Sequence, residues 1–167
     1  MTARTAQLRN LIIASKNPLS VRHATRTAVI AVASFLIAKL LRLPEAYWAA
    51  ITTLIVVQSP EVAMPVAAQY FAGTAVGAMV GGWADTHFPG NVFAFGVCIL
   101  AIGICFAPFR VERSAYRYAC ITLAIAMLTR SHDGWITALH RFLEVSTGIG
   151  IGLAINAIWP ERLADRF

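Results

Sequence analysis

Apolar residues in this chain come in blocks divided by short polar punctuation, and block length sets the first expectation. A hydrocarbon core of roughly 30 Å needs about 20 helical residues to cross. Val62–Ala84 runs 23 residues without a charge, and Phe88–Phe109 runs 22. Trp135–Trp159 is of similar length but carries His140, Arg141 and Glu144, and His23–Leu41 has Arg26 and Lys39 near its ends, placed to snorkel. Two blocks are shorter: Ala46–Ser59 and Tyr118–Thr129. Breakers divide them at Pro44, Ser59-Pro60-Glu61, Asp85–Asn91, Phe109–Arg113 and Ser131–Gly134. The pattern predicts an all-α, polytopic membrane protein of six transmembrane helices over residues 21–160. A basic segment over 1–20, read as a short amphipathic helix on the inner surface, precedes them, and a short tail over 161–167 follows.

Composition agrees. The hydrophobic fraction is 58% and the charged fraction 13%, about half of what a soluble domain uses to cover its surface. The net charge of +6 is spread around the apolar blocks and forms no single patch, so it argues for topology and against nucleic acid. With the N-terminus inside, Arg4, Arg9, Lys16, Arg22, Arg110, Arg113, Arg162 and Arg166 face the cytoplasm, against Lys39, Arg42 and Arg130 outside. This is the positive-inside arrangement with both termini cytoplasmic. Trp48, Trp83, Trp135 and Trp159 fall near span ends, where interfacial aromatics sit. Cys98, Cys105 and Cys120 read as small core residues, and the four His have no metal-ligand spacing. No phosphate loop or nucleophile–base pairing points to an enzyme or to a cofactor.

The chain also repeats itself. Ala49-Ala50-Ile51-Thr52-Thr53 reads like Ala119-Cys120-Ile121-Thr122-Leu123, and Phe71, Gly77 and Gly81 fall on Phe142, Gly148 and Gly152. Two halves of three spans enter the membrane in opposite senses, a 3+3 inverted repeat of the kind transporters use. The two short blocks then occupy matching places, which in such folds points to a central site. Ordinary helices lengthened by their flanks are the plainer reading of both.

Several side chains carry candidate chemistry. Thr52, Thr53 and Thr122 either bond a carbonyl one turn back or, with Gln58, offer hydrogen bonds to a solute. Arg141 and Glu144 stand one turn apart and are expected to pair on one face, either as a clamp between helices or as a functional pair. Glycine ridges at Gly73, Gly77 and Gly81 and at Gly148 and Gly152 predict close packing of the third and sixth spans on each other or on a partner chain. Arg22 and Arg26 share a face at the inner end of the first span, as anchors or as a cationic vestibule.

Tyr47-Trp48-Ala49-Ala50-Ile51-Thr52-Thr53-Leu54, then Gly73-Thr74-x-x-Gly77, then Arg141-x-x-Glu144-x-x-x-Gly148, in that order over about residues 20–160, resemble the fusaric acid resistance and aromatic acid exporter family. The resemblance implies a six-helix module of the bacterial inner membrane that exports aromatic carboxylic acids or similar small organic anions, driven by protons. An Arg commonly stands three residues before the Gly-Thr pair in that family, and Tyr70 stands there here. Larger members carry a cytoplasmic domain and a second membrane module; this sequence has neither, so a homo-oligomer is expected. Arg141 and Glu144 would form the central polar pair, with Trp48, Thr52, Thr53, Tyr70 and Thr122 lining the pathway. The alternatives are a non-transporting scaffold, whose polar residues serve only helix packing, and a small channel.

Overall fold

The computed structural model describes residues 21–56, 60–108, 112–129 and 134–159. The N-terminal segment, the tail after 159, Gln58 and the side chain of Arg22 lie outside the described residues. Within them the chain is all helix: α1 Val21–Leu40, α2 Tyr47–Val56, α3 Pro60–His87, α4 Val92–Phe106, α5 Arg113–Leu128 and α6 Gly134–Ile158. Two of these, α3 and α6, are long and apolar enough to cross a membrane, through Ala63–His87 and Gly134–Ile158.

The lengths depart from the sequence expectation in one place. The 22-residue block Phe88–Phe109 yields only the 15-residue α4. Gly90 takes a left-handed φ of 66°, and the Asn91 side chain then caps the helix by accepting from the N–H groups of Phe93 and Ala94. Those residues are spent on a turn, and 15 helical residues reach only about 22 Å. The second short block moves the other way, because α5 starts at Arg113 and takes its polar flank into the helix. α2 stays at 10 residues, about 15 Å.

The turn that launches α2 is specific. Arg42 adopts a left-handed φ of 58°, the Leu43 N–H reaches the Ala38 carbonyl at 3.1 Å, and the Arg42 N–H reaches that of Lys39 at 3.0 Å. This double bond pattern is a Schellman stop. It closes α1 and delivers Pro44 and Glu45 to the mouth of α2.

The long helices α3 and α6 pack on each other at the centre. α5 lies along α3, α2 lies along α6, and α1 and α4 flank them on the outside, α1 against α2 and α6, α4 against α5 and α3. The glycines explain which helix goes where, and they correct the expected pairing. α3 and α6 do pack together, with Gly82 against Trp135 and Gly134 against Asp85, but the ridges at Gly73, Gly77, Gly81 and Gly148 face the short helices. A Cβ on Gly77 would strike the Ala119 carbonyl and the Thr122 Cβ on α5, and one on Gly148 would strike the Ala49 carbonyl and the Thr52 Cβ on α2. Gly73 and Gly81 seat Ala115 and Ala126 of α5 in the same way, and Gly152 is buried. Without side chains at these points, backbone lies directly on backbone.

Where lipid would lie, the surface is apolar. Phe93, Val97, Leu100 and Ile104 of α4 and Val29, Val32 and Leu36 of α1 are exposed. A protein covered by water seldom carries stripes of this kind. Cys105 also faces outward, contrary to its expected core role, while Cys98 is buried. Inside, Val56, Tyr70, Tyr118, Val145 and Ile149 form the apolar cluster among α2, α3, α5 and α6.

Polar groups join the helices at two levels. The Thr53 hydroxyl lies 2.8 Å from the Ala49 carbonyl, 3.0 Å from that of Gly148 and 2.7 Å from Ser34 Oγ, tying α1, α2 and α6 together. At the other end of α1, Arg26 donates through Nη2 to Asn156 Oδ1 of α6 and is only 2% exposed. Arg26 therefore joins two helices and does not snorkel outward as expected.

Candidate functional site

The site forms where the start of α2 meets the first third of α6. Arg141 and Glu144 sit one turn apart on α6 and are 2% and 1% exposed. Their charges interact, but spacing along the helix does not bring them into a hydrogen bond, contrary to the expectation from that spacing. Each is claimed by α2 instead. The Arg141 guanidinium carbon lies 3.6 Å from the centroid of the Trp48 ring. A Glu144 carboxylate oxygen accepts the backbone N–H of Glu45 at 2.8 Å. The Trp48 indole N–H donates to the Glu45 carboxylate at 2.8 Å. A closed circuit results: Arg141 to Trp48, Trp48 to Glu45, Glu45 to Glu144, and back to Arg141 through one turn of α6.

This circuit leaves Arg141 short of acceptors. Its Nε, Nη1 and Nη2 are all buried and make no hydrogen bond among the described residues, although the Tyr70 hydroxyl lies close enough to interact with the guanidinium. A desolvated cation–π contact is worth about 2 kcal/mol. Burying an ion costs several kcal/mol unless hydrogen bonds answer it. The indole face alone therefore does not balance the charge, and the guanidinium keeps its capacity for an anionic acceptor. A cavity of about 260 Å³ opens beside it, lined by Glu45, Thr137, His140, Arg141 and Glu144 among others. It also touches Ile125 and Thr129, so it reaches the start of α2 and the end of α5 together. That volume falls a little below the range for drug-sized ligands, which suits a small solute.

The remaining candidates fall into two groups. Tyr70 is buried and stacks on Tyr118 of α5, with centroids 4.0 Å apart, and the Thr52 hydroxyl points to the Tyr70 hydroxyl at 3.5 Å. Thr122 lies under Gly77, its hydroxyl buried and without a hydrogen-bond partner, as is that of Thr74 one turn after Tyr70. Thr53 stands apart, engaged by the joint described above. Trp48 was expected at the membrane interface with the other three tryptophans. It turns inward onto Arg141, whereas Trp83, Trp135 and Trp159 are exposed near helix ends.

Sequence reasoning missed Glu45, Tyr118 and Thr74. Glu45 had a signal: an acid three residues before Trp48, directly after a helix-breaking Pro44, at the mouth of a short segment. Tyr118 had one too, because the offset of 70 that matches Ala119 to Ala49 sets Tyr118 on Trp48.

Comparison with known proteins places this arrangement. The inner membrane protein YeeA of Escherichia coli (strain K12) is 27% identical over 146 residues, which cover 84% of this chain and 41% of that protein. The chain thus spans less than half the length of this relative. No solved structure matches it. Residues 30–155, most of the chain, match the fusaric acid resistance protein-like family. The chain belongs to the fusaric acid resistance protein-like family.

Proposed function

We propose that this chain is a transporter module of the bacterial inner membrane that moves small organic anions outward, aromatic carboxylates first among them. The observation that carries the reading is Arg141: a buried cation beside a small cavity, whose nitrogens make no hydrogen bond among the described residues. A carboxylate offers the planar, two-oxygen acceptor that a guanidinium matches best. Trp48 stacks on the guanidinium, while Tyr70, Thr52 and Thr122 are buried in the interior outside the cavity lining. The name of the relative, an inner membrane protein, supports the location.

The architecture we propose is six spans in a 3+3 inverted repeat, with both termini cytoplasmic and several copies of the chain assembled together. Matching contacts support the repeat. Gly77 seats Ala119 and Thr122 just as Gly148 seats Ala49 and Thr52. Tyr70 on Tyr118 corresponds to Arg141 on Trp48. The two halves thus share their joints and differ at their centre, where one holds a phenol and the other a cation. The short α2 is then a span partly shielded by α1 and α6, as folds with a central site allow.

The scaffold reading draws support from Thr53 and Arg26, which are spent on helix joints. The cavity at the mouth of α2 favours transport over it. The test is flux of benzoate and hydroxybenzoates in liposomes under a proton gradient. Arg141→Gln is expected to cut flux at least about tenfold, since a hydrogen bond to a charged group is worth about 1.5–3 kcal/mol. Wild-type flux in a folded Arg141→Gln protein overturns this function.

A further inference from the structure

The nitrogens of Arg141 are buried although the cavity adjoins the residue. An anion in that cavity has no route to them until something moves. The group stacked on the guanidinium is Trp48, and its indole N–H is held by Glu45. Glu45 is itself pinned, because its backbone N–H is bonded to Glu144 on the same helix as Arg141. Its position is set by the Schellman turn at Arg42 and by Pro44, so its carboxylate is presented to Trp48 by fixed backbone.

We propose that Glu45 and Trp48 form a latch over Arg141, with Glu45 the positioning residue that decides when the guanidinium can be reached. The inference rests on the reading of Arg141 as the anion site. In the closed state the indole ring covers the guanidinium face and the Glu45 carboxylate fixes that ring. Release of the indole N–H lets the ring move off the guanidinium face, and the guanidinium nitrogens become available to a carboxylate. Glu45 never touches the anion. It acts through Trp48, and its own negative charge on the cavity wall disfavours solutes carrying more than one anionic group.

The latch can be read without any transported solute. Phenylglyoxal reacts with accessible guanidinium groups and crosses bilayers, so peptide mass spectrometry of protein in liposomes reports the modification rate at Arg141 itself. Wild type is expected to react slowly there. Glu45→Ala and Trp48→Phe, which each remove one side of the indole hydrogen bond, are expected to react about tenfold faster or more, the worth of a hydrogen bond to a charged group. Glu45→Gln keeps an oxygen that accepts the indole N–H and is expected to stay near the wild-type rate. A merely structural Glu45 would show no such rescue.

Rapid modification of Arg141 in wild type overturns the latch, and so does a wild-type rate in both Glu45→Ala and Trp48→Phe. Should Glu45→Ala fail to fold, Trp48→Phe decides alone, since it keeps a ring over the guanidinium. The flux of Arg141→Gln is measured separately. A transport-dead Arg141→Gln with unchanged modification rates removes the latch and leaves the anion site. An active Arg141→Gln removes the anion site and with it the latch.

Discussion

Phe71 and Phe142 touch, their ring centroids 5.1 Å apart. They are also the two positions that the proposed repeat makes equivalent, one on each long helix. In an object with two-fold symmetry, a residue meets its own counterpart only on the axis. The contact therefore supports a pseudo-two-fold axis running between α3 and α6, with the glycine seats of α5 and α2 on either side of it.

Those seats give a prediction with a control on the same helix. A methyl at Gly77 or Gly148 meets a carbonyl and a threonine Cβ at less than contact distance, whereas one at Gly150 meets nothing within 4 Å. Gly77→Ala and Gly148→Ala are each expected to cost about 1–3 kcal/mol, the usual penalty for overpacking. Gly150→Ala is expected to be neutral or to stabilise by about 0.4–1 kcal/mol through the unfolded chain. Thermal unfolding of the purified protein in detergent ranks the three. Equal losses at Gly77 and Gly148 would match the equivalence of the seats; a Gly150→Ala as damaging as the others would refute the packing account.

The Thr53 joint gives a second. Its hydroxyl serves three neighbours on three helices. Thr53→Val keeps the shape and removes the hydroxyl, leaving Ser34 without that partner. Ser34 keeps its bond to the Ile30 carbonyl, so a loss of about 0.5–1.5 kcal/mol is expected, the net worth of a hydrogen bond. Thr53→Ser is expected to recover most of it. If valine is as stable as threonine, the joint contributes no net stability.

The turn at Arg42 gives a third, of opposite sign. A non-glycine residue in the left-handed region costs roughly 1–2 kcal/mol in local sterics. Glycine relieves that cost but loses about 0.5–1 kcal/mol of its own in chain entropy. Arg42→Gly is therefore expected to raise stability by about 0.5–1 kcal/mol, read as a higher unfolding temperature. A lower one would mean that the arginine side chain, which is exposed, contributes more than its backbone costs.

Much of the fold was legible because bilayer-length blocks and breakers are strong signals. The sequence pattern placed the boundaries of α3 and α6 to within a few residues. It overstated α4, because an uncharged Phe-Pro-Gly-Asn run adds apparent length while its backbone makes a turn. At the site, the importance of Arg141 and Glu144 could be read from charge within an apolar block. Their separation could not, since helical spacing gives only the chance of a pair. The rival partners, Trp48 and the backbone of Glu45, lie on another helix and in the turn before it. Likewise the glycine spacing announced close contact without naming the neighbour. That identity depends on how α2 and α5 are threaded, a long-range property.

The placement of α2 carries a consequence for how the protein is made. Its seat at Gly148 is on α6, the last of the described helices, so α2 leaves the ribosome with α1 as a neighbour but without that seat. The 92 residues from Val56 to Gly148 take roughly 5–20 s to synthesise at ordinary elongation rates. During that interval a ten-residue helix with two buried threonines has α1 beside it but not α6, and the face that α6 will cover must be sheltered by the insertion machinery or wait at the bilayer surface. For this chain a helix translated early is among the last to find its full seat.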